Sequence, residues 1–161
     1  MSSVISLEVV DDAWARLTFD NGQVWEVARK QIGPVGIGEA LAMAQAEGLD
    51  LPSPSMIDAI WQSADLKIAP RPRSFKRWTA AEMNDPAVHA AQLAYIESQI
   101  VDRDFALLVG AYKDVVRGPD GRVGLYGWHQ LNGKPIQPYF TGHAMDWIDY
   151  SQGLRLVRKV H

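Results

Sequence analysis

Two of the four histidines in this 161-residue chain, His129 and His143, fall in one loop-rich run, GWHQLNGKPIQPYFTGHAMDWIDYSQG, with Asp149, Tyr150 and Ser151 at its end. Two imidazoles and a carboxylate can divide general acid and general base roles. They can also ligate one divalent metal, zinc being the candidate and His129, His143 and Asp149 the ligand set. The spacing matches no compact zinc motif such as HExxH, so residue types rather than a signature carry the metal reading. A serine mechanism is the other option: Ser151 attacks if His143 takes its proton and Asp114 or Asp149 orients the ring. Thiolate chemistry is excluded, because the chain has no cysteine.

Lys113 and Asp114 in GAYKDVV, together with Arg155, are candidate substrate contacts, the guanidinium holding a carboxylate or phosphate in bidentate fashion. A salt-bridged strand face is the structural alternative for the Lys113-Asp114 pair. Trp128, Gln137 and Trp147 complete the candidate binding set. With Tyr139, Phe140 and Tyr150 nearby, flat aromatic surfaces beside polar groups suit a sugar ring or another ligand with one apolar face. Aromatics at strand spacing also build cores, and about half of these five rings are expected to be buried for that reason.

The elements that must position these residues read as α+β in a single domain. Residues 4–28 form an N-terminal β-meander: VISLEVV, then WARLTF with Ala15, Leu17 and Phe19 alternating against Trp14, Arg16 and Thr18, then QVWEVA after an Asn21-Gly22 turn. A helical middle spans 38–101. Its first helix, Glu39 to Glu47, is closed by Gly48; the second is capped by Ser53 with Pro54 in its first turn and Ile57, Ile60, Trp61 and Ala64 on one face. After an exposed basic connector, IAPRPRSFKRW, the longest helix starts at Asp85-Pro86 with a stripe of Val88, Leu93, Ile96 and Ile100; His89 beside it is a packed or solvated residue. Residues 105–160 give a C-terminal antiparallel sheet and the site loop, with turns at GPDG and Asn132-Gly133. In VGLYGWHQ, alternation places Leu125, Gly127 and His129 on one face and Tyr126 and Trp128 on the other.

With 47% hydrophobic residues the chain can bury a core without crosslinks. A net charge of -3 argues against nucleic acid as a partner. The N-terminus has no basic region ahead of an apolar stretch, and no apolar run approaches the ~20 residues that span a bilayer. The sequence therefore predicts no membrane partner and a cytoplasmic protein, or one released without a signal peptide.

Residues 121–157, GRVGLYGWHQLNGKPIQPYFTGHAMDWIDYSQGLRLV, resemble the C-terminal signature of an uncharacterised bacterial protein family, GRVxIYGWHxxxGxPIQPxxxxHxxxxxDYSHGxRLV. LPSPSMIDAIWQSADLKIAPRP and LLVGAYKDVV resemble two upstream blocks of the same family. Ala111 and Gln152 stand where that pattern has histidines, so chemistry that needs those histidines would be altered here. His143 followed by Ser151-Gln152-Gly153-Leu154-Arg155 is also similar, at a distance, to the active-site run of L,D-transpeptidases, whose nucleophilic cysteine this chain lacks.

Taken together, these features predict a small hydrolase acting on a cell-wall, peptidoglycan-like glycan or peptide polymer. His129 and His143 would be acid/base or metal-ligating groups, Asp149 would orient an imidazole, Tyr150 or Ser151 would contact the reacting group, and Lys113 or Arg155 would hold anionic groups. A non-catalytic glycan- or protein-binding module and a structural or assembly protein are the alternatives.

Overall fold

The computed structural model describes residues 2–161. β1 (Val4–Val9), β2 (Trp14–Phe19) and β3 (Val24–Ala28) make the expected antiparallel meander. Along β2 the alternation is realised: Ala15, Leu17 and Phe19 are buried, while the intervening residues are only partly covered. The turn before β3 uses Gly22 at φ 88, a conformation that costs a Cβ-free residue nothing.

α1 (Ile37–Ala46) begins two residues earlier than its sequence pattern suggests, and Gly48 closes it at φ 70. α2 (Pro54–Ser63) is capped by Ser53, whose Oγ accepts from the Met56 amide at 3.1 Å, and buries Met56, Ile57, Ala59 and Ile60. β4 (Leu66–Lys67) leads into the basic connector, which ends at α3 (Ala80–Met83). α4 (Pro86–Ile100) is the longest helix, but its inward stripe is shifted from the one expected. Gln92 and Ile96 are buried and Leu93 is 50% exposed, because Gln92 turns inward to donate its Nε2 to the Ala111 carbonyl at 2.9 Å.

β5 (Leu108–Val109) pairs with β4 in parallel. β6 (Lys113–Arg117), β7 (Val123–His129) and β8 (Pro135–Phe140) form the antiparallel part of the C-terminal sheet. The closing segment departs from the expected single strand. β9 (Gln152–Gly153) adds to β6 in parallel, making that sheet mixed, and β10 (Val157–Val160) crosses to β3 and completes the meander sheet in the order β1-β2-β3-β10. The architecture is α+β. Among the described residues no helix is long and apolar enough to cross a membrane.

The C-terminal sheet is covered on both faces. Val116 packs with α2 and the meander residues Leu17, Phe19 and Val27, whereas Val115 and Leu125 pack with Ile37, Ala40 and Ala44 of α1. The two-residue period of β6 thus assigns its odd positions to the α1 side and its even positions to the α2 side. Between β5 and β6 the chain passes so close to β4 that a Cβ on Gly110, at φ 102, would lie 2.0 Å from the Ile68 carbonyl oxygen. Gly110→Ala is expected to lower the unfolding free energy by ~3 kcal/mol or more, measured by urea denaturation, since both backbone strain and displacement of β4 follow.

Candidate functional site

The period of β6 separates Lys113 from Asp114. Lys113 points to the α1 side, where its Nζ donates to Asp149 Oδ2 at 2.7 Å, both side chains being nearly inaccessible. Asp149 lies in the loop ahead of β9. Its Oδ1 accepts from the Ser151 amide at 2.8 Å and the Ser151 hydroxyl at 2.6 Å, and its Oδ2 also accepts from Trp147 Nε1 at 3.2 Å. Burial pushes this carboxyl up, but the Lys113 ammonium and the hydrogen bonds outweigh it and hold the pKa below its ordinary value. Asp149 is an ionised hub.

The loop is anchored on its other side to α1. The amides of Ile37 and Gly38, unpaired within the helix, donate to the Trp147 and Met145 carbonyls at 3.1 and 2.7 Å. Gln152 is fully buried and donates its Nε2 to both the Val35 and Trp147 carbonyls at 2.9 Å. Gln152 is therefore a structural clamp between this loop and the segment ahead of α1.

Trp147 carries His143. The two rings stack with centroids 4.2 Å apart and planes 4° from parallel, and Phe140 meets the imidazole edge-on at 5.0 Å. His143 is half-buried and makes no hydrogen bond to the protein among the described residues. Burial lowers its pKa, the Lys113 charge lowers it further, and Asp149 opposes only in part, so the imidazole is neutral near pH 7. Asp149 acts on this ring through Trp147 rather than by the direct orienting bond expected from the sequence.

His143, Lys113, Asp149 and Ser151 line one cavity of about 420 Å³, walled by Trp128, Trp147 and Tyr150, with Gln137 also at its lining. Ser151 is buried and its hydroxyl is committed to Asp149, so the Ser151–His143 hydrogen bond of the serine reading is not formed. Tyr150 is buried too. Its hydroxyl accepts from the Arg73 amide at 2.8 Å, which ties the basic connector to the cavity, and burial raises its pKa. Pro72, Arg73 and Trp78 of that connector line the same space, a contribution not anticipated from the sequence. Of the five rings weighed as ligand surface or core, Trp128 and Tyr150 are buried.

His129 is elsewhere. Gly127 and Trp128 take left-handed conformations at φ 110 and φ 57, which breaks the alternation of β7 at its end. Trp128 turns its indole toward Tyr150, at 6.1 Å between centroids, and donates Nε1 to the Gly110 carbonyl at 3.0 Å. His129 swings to the α2 side with Tyr126, three residues away, and both bond Asp58 Oδ1, His129 Nε2 at 2.8 Å and the Tyr126 hydroxyl at 2.7 Å. Trp61 stacks on the His129 ring at 5.6 Å. Asp58, the lone carboxylate of an otherwise apolar turn of α2, was the available signal for this pairing. Asp58→Ala leaves a buried imidazole and a phenol short of an acceptor, and is expected to cost ~2 kcal/mol by urea denaturation.

The remaining charged candidates are interior. Arg155 is 2% exposed, donates to the Ala28 and Leu108 carbonyls at 2.8 and 2.6 Å, and lines a cavity of about 20 Å³ with Asp114 and His129, room for one water molecule. Burial raises the pKa of Asp114 to about 6 against the opposing charge of Arg155, and lowers that of Arg155 to about 10. Neither reaches an external substrate. The expected His129, His143 and Asp149 ligand set is not assembled, and among the described residues no three His, Asp or Glu side chains gather as a metal site.

A groove of about 540 Å³ beside β10 exceeds the His143 cavity in size, but its Asp50 is paired with Arg117 and its Arg158 with Glu26. It also carries an imidazole, His161, but that side chain is exposed, with no aromatic ring stacked on it among the described residues, and lies away from the buried Lys113 ammonium. Set against protein-family models, curated proteins and solved structures, the chain matches none of them.

Proposed function

We propose that the protein is a small hydrolase that cleaves an amide or ester bond carried on a cell-wall-like glycan or peptide polymer, with His143 as its general base. The observation that carries this reading is the His143 imidazole itself: held flat by Trp147, without a hydrogen bond to the protein among the described residues, and placed in the same cavity as the Lys113 ammonium, whose charge and the ring's burial lower its pKa.

The chemistry follows from those groups. A ring nitrogen of His143 takes a proton from water as the water oxygen bonds to the substrate carbonyl carbon. The electron pair displaced onto the carbonyl oxygen is stabilised by Lys113, whose ammonium gives one bond to Asp149 and keeps two N–H groups. On collapse, the bond to the leaving nitrogen or oxygen breaks and the imidazolium returns its proton to that atom. Glycosidic cleavage fits less well, because that chemistry ordinarily uses two carboxyl groups across the bond and, among the described residues, Asp149 is the single carboxylate lining this cavity.

One observation favours the binding-module reading: Ser151 and Lys113 already satisfy each other's neighbour, Asp149, as structural groups do. Incubating the protein with peptidoglycan and following released fragments by mass spectrometry separates the two. The hydrolase reading expects fragments ending in a new carboxylate. Saturable binding with no such product would replace it with the binding module.

A further inference from the structure

The connector between β4 and α3 is a cationic strap that lends Pro72, Arg73 and Trp78 to the wall of the His143 cavity. From residue 66 to residue 81 the chain has no Asp or Glu, and Arg71, Arg73, Lys76 and Arg77 are all exposed. None of the four forms an ion pair among the described residues, although the chain as a whole carries a net charge of -3. Unpaired cations concentrated on an acidic protein are a local feature with a local use.

The strap is also aromatic and held in place. Trp78 is 58% exposed despite its size and sits at φ 55, a strained conformation for a bulky residue. Phe75 bridges Trp78 to the cavity wall, 5.3 Å from the Trp78 ring and 5.5 Å from Tyr150. Two hydroxyls fix the backbone: Tyr150 accepts from the Arg73 amide, and Tyr95 donates to the Ala69 carbonyl at 2.6 Å. An exposed indole beside tethered guanidinium groups matches a chain that has flat apolar faces and carboxylates at intervals.

From this we infer that the strap binds a glycan chain bearing carboxylates, feeding its substituents into the His143 cavity; the inference rests on the hydrolase reading for the role of that cavity but not for binding. Sugar faces stack on Trp78 while Arg71, Arg73, Lys76 and Arg77 pair with the carboxylates. A phosphodiester chain, charged at every residue, fits less well, since beyond the strap it meets the acidic excess of the remaining surface.

The test compares two glycans that differ in their carboxylates: peptidoglycan strands stripped of peptides, with a free lactyl carboxylate on alternate sugars, and neutral chitohexaose. Calorimetry at low and high salt is run on the wild type, on R71Q/R73Q/K76Q/R77Q, on Trp78→Ala and on His143→Ala, with circular dichroism as the check on folding. The wild type is expected to bind the carboxylated strand about tenfold more tightly than chitohexaose, with the preference shrinking in high salt and lost in the quadruple variant. Trp78→Ala should weaken both glycans, and His143→Ala should keep the preference for the carboxylated strand and its shrinkage in high salt. Equal affinities of the wild type and the folded quadruple variant for the carboxylated strand, absence of binding, or tighter binding of a single-stranded oligothymidylate would each overturn the inference. Carboxylate-dependent binding here, together with no new carboxylate-ended fragments from intact peptidoglycan, would leave the strap standing and remove the hydrolase.

Discussion

Asp149→Ala is expected to lower the unfolding free energy by about 4 kcal/mol, the largest stability effect of any single side-chain truncation around the cavity. Removing the carboxylate strands the Lys113 ammonium, which is itself nearly inaccessible, and it also leaves the Ser151 hydroxyl, the Ser151 amide and the Trp147 indole N–H without their acceptor. For a chain of this length the thermal midpoint should fall by roughly 10 °C. Lys113→Met alone should be nearly as damaging, since it leaves the carboxylate unpaired. The double variant K113M/D149L should recover the part of the loss that comes from an unpaired buried charge, while the Ser151 and Trp147 donors stay without their acceptor. A double variant no better than the sum of the singles would show that the pair is not a coupled unit.

The pH dependence of this stability has a definite sign. The folded-state pKa of Asp149 is depressed, so its contribution is fully present above the unfolded carboxylate value, near ~4, and is lost as the pH falls through the lower folded value. Asp114 runs the other way. Its folded pKa is raised to about 6, so its term favours the folded state at low pH and is lost as the pH rises from ~4 through about 6. Asp149→Ala should therefore remove its own share of the acid-side loss of stability below pH ~4, leaving the shares of Glu26 and Asp50, whose pKa values are also held down by arginine partners, and the Asp114 term.

His143→Ala is expected to reduce kcat/KM by ~10²–10⁴ while changing stability by less than ~1 kcal/mol. The imidazole is half-buried and, among the described residues, makes no hydrogen bond to the protein, so the fold gives up little beyond its stack on Trp147. Asp58→Ala provides the contrast. It disturbs His129 on the other side of the C-terminal sheet and should lower stability with kcat/KM preserved. If His129→Ala, in a variant that remains folded, abolished turnover while His143→Ala did not, the site would lie around Asp58 instead.

Much of the fold is readable from local rules. The meander, the Asn21-Gly22 and Asn132-Gly133 turns and the Ser53-Pro54 start of α2 each rest on a few adjacent residues whose conformational preferences agree with the packing. The site was readable in part. The Asp149, Tyr150 and Ser151 cluster and His143 do share a cavity, along with Lys113, Trp128, Gln137 and Trp147. His129 was misplaced because a tryptophan in the left-handed region carries no sequence mark: strict alternation would have left His129 on the face of Leu125, and the turn at Gly127-Trp128 reverses it. The separation of Lys113 from Asp114, by contrast, follows from strand period alone and needed only the knowledge that both faces of β6 are covered. Arg155 falls in a third class. A guanidinium with 2% exposure bonded to two carbonyls looks the same in sequence as one at a surface, and only tertiary packing distinguishes them.

The most direct test of the central claim is the titration of the His143 ring by NMR, set beside the pH dependence of kcat/KM for the proposed hydrolysis, assayed on peptidoglycan. Burial and the Lys113 charge place the ring below its ordinary pKa of 6.5, and the base works only when deprotonated. The rate should therefore be flat near neutrality and fall at lower pH with a midpoint equal to that of the ring. A ring that titrates at or above 6.5, or a rate profile whose acid limb does not follow it, would contradict the assignment of His143 as the base.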